Sequence, residues 1–163
     1  MKAWSNRSPE LAALFNPAFC GLLIYTGVAH YQKQDKSGMP IPLAFLLLPV
    51  VLSSNLRETL PATARTPFQL WLDREPQVKI QLAKRATNLA PITREAVLFL
   101  VQRKRVALSG DRLLKVKVIK GVTALQGYAP ELPPLVESVR ILGNMFGKSN
   151  DAETIFASLG LSL

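Results

Sequence analysis

The chain has 163 residues, 48% of them hydrophobic and 19% charged, which suits one compact domain and excludes wholesale disorder. Twenty Lys and Arg stand against eleven Asp and Glu, for a formal charge of +9. A single cysteine (Cys20) excludes a disulfide framework, and a single histidine (His30) excludes the paired ligands of a zincin.

The positive charge is concentrated. Residues 61–130 carry thirteen basic and four acidic side chains, whereas 1–60 carry five and three, and 131–163 two and four. The middle segment therefore equals the whole excess, the electrostatic footprint expected for a polyanionic partner.

In chain order, Ser8-Pro9-Glu10 has the cap, first-turn proline and acidic side chain of a helix start. Asn16-Pro17 repeats the signal and opens a helix to about Gln34, apolar on more than one face through Phe19, Leu22, Leu23 and Tyr25. Asp35–Pro40 is a loop, and Pro42–Ser53 a buried helix bent at Pro49. The apolar runs Ala18–Ala29 and Ile41–Leu52 are each about a dozen residues, short of the roughly 20 that a spanning helix needs. No small-residue cleavage site follows Lys2, so a cytoplasmic location is expected. Asn55–Thr66 reads as a surface connection, and Pro67–Asp73 as a short helix carrying Phe68, Leu70, Trp71 and Leu72.

From Glu75 the pattern becomes basic. Val78–Leu89 is helical, Asn88–Pro91 a turn, and Thr93 the cap of a second helix to about Lys104. Val106–Ser109 and Arg112–Lys120 flank Gly110-Asp111 as a tight β-hairpin. Helix, turn, helix and hairpin is the order of a winged helix-turn-helix unit. Gly127–Pro134 is a linker, Pro134–Phe146 an amphipathic helix, and Asp151–Leu159 a last short helix. The expected fold is mainly α with a small β-hairpin. It divides into an apolar N-terminal helical subdomain (1–73), a basic winged-helix-like unit (74–126) and a C-terminal linker with helices (127–163).

Little here can carry chemistry. Gly147-Lys148 lacks the glycine-rich lead-in of a phosphate loop, so no nucleotide site is expected. His30 ends an apolar helix with no nearby carboxylate or nucleophile, and is expected to be structural. Cys20 is a core residue, and the carboxylates show no metal-ligand spacing. No catalytic residue, cofactor or metal is expected.

The basic constellation says more. Arg103, Lys104 and Arg105 fall where helix meets hairpin, and Arg112 marks the tip of the wing. Alternation places Lys115 and Lys117 on one face of the second strand, and Leu114, Val116 and Val118 on the other. With the outward Lys84 and Arg85, these eight form a candidate surface for the DNA backbone. Ala96–Val101 is apolar all round, so this helix has no polar edge for reading bases.

The segments FNPAF at 15–19, MPIPLAFLLLPVVL at 39–52 with NLRETLP after it, and PITREAVLFLV at 91–101 carry a family resemblance. They resemble the middle component of bacterial three-component ABC systems, defence operons of the Lamassu type, over about residues 14–120. The resemblance implies a bridging subunit between an SMC-like ABC ATPase and a nuclease-type effector, assisting contact with foreign double-stranded DNA. It implies no catalytic residue, because the matched motifs contain none. The apolar surplus at Phe15, Phe19 and Phe45, and the terminal stripe Ile155, Phe156 and Leu159, are the expected partner interface. The alternative is a free-standing winged-helix transcriptional regulator, which neighbouring genes would separate from a middle subunit.

Overall fold

A computed structural model describes residues 15–117, 132–149 and 152–160. The helix start at Ser8–Glu10, the strand beyond Lys117 and most of the linker from Gly127 lie outside the described residues. The helices are α1 (Pro17–Gln34), α2 (Ile41–Val51), α3 (Ser54–Arg57), α4 (Phe68–Arg74), α5 (Pro76–Gln102), α6 (Leu132–Ser149) and α7 (Ala152–Ser158). The strands are β1 (Met39–Pro40), β2 (Val106–Ser109) and β3 (Arg112–Lys115). The protein is mainly α with a small antiparallel sheet in the order β1-β3-β2.

Helix α1 is the axis of the fold, packed against α6, α5, α2 and β3. It starts where the sequence signal lies: the Asn16 side chain accepts from the Ala18 amide at 2.8 Å, and Pro17 occupies the first turn. Helix α2 has no polar side chain, and eight of its residues from Leu43 to Val51 are buried between its neighbours. Its C-terminal end is closed by Arg57, whose guanidinium donates to the Val51 carbonyl at 2.7 Å. Phe68 of α4 meets Phe146 of α6 with ring centroids 5.1 Å apart, and the Trp71 indole donates to the Thr59 carbonyl. Buried residues from all three sequence segments, among them Leu47, Leu100 and Phe146, belong to one contiguous cluster.

The helix-turn-helix is not formed. Asn88–Pro91 does not turn, and Thr93 caps nothing, because α5 runs unbroken from Pro76 to Gln102. Its buried residues Val78, Leu82, Ile92, Ala96 and Leu100, with half-buried Ala86 and Leu89 between, keep one helical phase across Pro91. Breaking the helix there would rotate half of that stripe off the core. Pro91 removes one ladder donor, a smaller loss than the buried stripe is worth.

Thr93 is carried into the core by this arrangement. It is fully buried, and its hydroxyl has no hydrogen-bond partner. An unsatisfied buried hydroxyl is costly, so Thr93→Val is expected to raise stability by about 1–2 kcal/mol. The check is the urea midpoint at unchanged m-value; a lower midpoint would mean that the hydroxyl is satisfied.

Strands β2 and β3 pair Ser109 with Arg112 across the two-residue turn Gly110-Asp111. Gly110 has φ +60° and Asp111 does not enter the positive region, the pattern of a type II′ turn. On β3 the parity that faces the core is that of Leu113, and not that of Leu114 and Val116. Leu113 is fully buried, Leu114 is half-buried and Val116 is 52% exposed. Pairing of Leu113 with both Met39 of β1 and Leu108 of β2 makes β3 the central strand and fixes which parity faces the core.

Candidate functional site

Helix α5 ends in a Schellman turn. The Arg105 amide donates to the Leu100 carbonyl and the Lys104 amide to the Val101 carbonyl, each at 2.9 Å. Lys104 takes the left-handed position with φ 53°, where glycine is the usual occupant. The turn projects Arg103 and Lys104 into solvent, with the Arg103 guanidinium 5.4 Å above the Phe99 ring. The Arg105 carbonyl then accepts from the Val116 amide at 2.9 Å, which brings the turn beside exposed Lys115 and Lys117.

The basic border continues onto α1 and α6. The Lys115 amide donates to the Gln32 side chain at 2.6 Å. Beside it, His30 faces Asn144, whose amide nitrogen is 3.2 Å from the imidazole Nδ1 and also donates to the Arg140 carbonyl. The Arg140 carbonyl can only accept, which fixes the orientation of that amide, and the Asn144 oxygen accepts from Gln34 at 3.2 Å. His30 must therefore present a lone pair at Nδ1, and an imidazolium would set one N–H against another. Burial, followed by the charges of Lys33, Arg140 and Lys115, pushes the His30 pKa down from 6.5 to about 4. His30 is therefore neutral at pH 7.

This gives a signed pH dependence. Between pH 6.5 and about 4 the unfolded chain binds a proton at His30 that the folded chain refuses. That stability is complete above pH 6.5 and is lost as the pH falls toward 4. The melting temperature should fall across this window, and His30→Gln should flatten that part of the curve. An unchanged profile in the variant would remove His30 as the cause.

Not every expected cation is free for a partner. Arg112 is an internal clamp, donating to Ser37 Oγ and the Gly38 carbonyl at 2.8 Å each and pairing with Asp35 at 3.4 Å. Hydrogen bonds from the Ser37 hydroxyl and amide, with the Arg112 charge, hold the Asp35 carboxyl below its ordinary range. Arg105 is half-buried and engaged. Lys84 and Arg85 are exposed but lie five turns up α5 from Arg103, about 27 Å at 1.5 Å per residue. Arg85 instead lines a cleft of about 160 Å³ with Phe15, Pro49, Leu52, Asn88 and Leu89. Among the described residues the coherent basic surface is thus Arg103, Lys104, Lys115 and Lys117, bordered by Lys33 and Arg140.

Residues 4–163 match the family described as ABC-three component (ABC-3C) system Middle Component 3. The chain belongs to that family. None of the curated proteins and none of the solved structures matches it. The match runs past residue 120, so the C-terminal helices are part of this middle component's family pattern. Among the described residues no helix is long and apolar enough to cross a membrane. No group of three or more His, Cys, Asp or Glu among them could hold a metal ion.

The apolar surface of the middle component is not where the sequence places it. Ile155, Phe156 and Leu159 are 3%, 9% and 6% exposed, because α7 folds its stripe onto α4 and α6 of the same chain. Phe15 and Phe19 are half-buried against the core, and Phe45 is half-buried on α2. Among the described residues, the large apolar side chains left exposed are Leu70, Ile80, Leu98, Leu108 and Val116. Ile80 and Leu98 are five turns apart and share the outer face of α5, a spacing readable once the helix is known to be continuous. The Asn144 and Arg140 side of the His30 cluster has no sequence signal, since it comes from packing α6 on α1.

Proposed function

We propose that this chain is the non-catalytic bridging subunit of an anti-phage and anti-plasmid defence complex of the Lamassu type. It joins an SMC-like ABC ATPase to a nuclease effector in the cytoplasm. The observation that carries this reading is the family match along nearly the whole chain. A middle component acts through its neighbours, and its exposed apolar side chains on α5 and the hairpin suit protein contacts. The basic segment 74–126 adds non-specific contacts to double-stranded DNA through Arg103, Lys104, Lys115 and Lys117, which reward phosphate without reading sequence. The regulator alternative loses support with the helix-turn-helix, since α5 is one helix and presents no recognition element.

The test is size-exclusion chromatography with light scattering on the chain alone and with its ATPase. Co-elution at the combined mass is expected. A homodimer that ignores the ATPase and prefers one DNA sequence would overturn the reading in favour of the regulator.

A further inference from the structure

The small sheet ends on β2, and no described residue pairs with its outer edge. The ladder to β3 fixes which groups that edge offers. Arg105 and Val116 form a hydrogen-bonded pair, since the Val116 amide donates to the Arg105 carbonyl. Pairs therefore alternate along the hairpin, with Ala107 and Ser109 bonded to β3, while the backbone N–H and C=O groups of Val106 and Leu108 point outward. Leu108 shares a sheet face with buried Val106 and Leu113, yet is 54% exposed: the core layer stops short of the strand. An open edge with an uncovered leucine is the arrangement that strand addition completes.

We propose that an extended, acidic segment of another subunit of the three-component system adds to the outer edge of β2. It sets an apolar side chain beside Leu108 and its carboxylates against the turn carrying Arg103 and Lys104. This deepens the bridging reading and rests on it. The acidic character follows from charge complementarity, because the edge begins directly after the basic turn and lies beside Lys115 and Lys117.

The test measures hydrogen exchange of the chain alone and with each co-purified subunit. Binding should protect the amides of Val106 and Leu108, while those of Ala107 and Ser109, already paired, change little. Leu108→Pro removes an outward N–H without taking a donor from the β3 ladder, and should weaken capture of the partner at least tenfold. Leu108→Asp, which leaves the backbone donor in place, should weaken it similarly through charge, so the proposal stays testable if the proline variant fails to fold. Capture by the wild type with undiminished capture by the folded variants would overturn the strand addition alone. No capture by the wild type would overturn it together with the bridging reading. Protection of the same amides by DNA or by a second copy of the chain, and not by a subunit, would also overturn it.

Discussion

Gly143→Ala is expected to destabilise the protein by about 3 kcal/mol, the upper range for forcing an extra carbon into a packed core. Helix α6 lies so close to α1 that a Cβ at Gly143 would run into the backbone carbonyl of Gly27. One turn on, a Cβ at Gly147 would stand 2.8 Å from the Tyr31 carbonyl. Neither obstacle is the far end of a flexible side chain, so relief requires moving a helix axis. The sign is diagnostic, because Gly→Ala at an open helical position gains about 1 kcal/mol. Urea unfolding of Gly143→Ala against wild type decides it; a gain would mean that the two helices do not touch at this point. The consequence reaches the basic surface, since the same crossing holds Asn144 and Arg140 beside His30 and Lys33.

The second large effect is electrostatic. Reversing Arg103, Lys104, Lys115 and Lys117 to Glu in the assembled complex should remove four phosphate contacts. Each contact contributes about −0.9 to the slope of log affinity against log salt, so the wild-type slope should be steeper by about 3.6. Four such contacts amount to about a hundredfold loss of affinity between 50 and 200 mM salt, a loss the variant should lack. Arg112 is left in place because its side chain clamps Ser37 and Gly38, and Arg105 because it is half-buried and already engaged. Contacts made by other subunits cancel in the comparison, so identical slopes would mean that this face does not meet DNA.

Much of the fold is legible in local signals. Asn16-Pro17 marks the start of α1, and Gly110-Asp111 marks the hairpin, because a cap and a type II′ turn are chosen by the residues themselves. Helix α5 shows the limit of such signals. Pro91 reads as a boundary locally, but the apolar phase through Val78, Leu82, Leu89, Ile92, Ala96 and Leu100 runs past it, and tertiary burial outweighs one lost donor. That phase was visible in the sequence. The parity of β3 was not, since it depends on pairing with Met39, more than seventy residues earlier. The candidate site divides the same way. Arg103, Lys104, Lys115 and Lys117 were legible as a basic group. The capture of Arg112 by Asp35, Ser37 and Gly38, the burial of Ile155 and Phe156, and the exposure of Leu108 follow from long-range packing that composition does not encode.

The bridging role is tested most directly by leaving the chain out. Purified ATPase and effector, mixed with and without this protein, are run on size-exclusion chromatography with light scattering. One co-eluting complex containing all three is expected when the chain is present, and separate ATPase and effector peaks when it is absent. ATPase and effector that co-elute equally well without it would contradict a bridge.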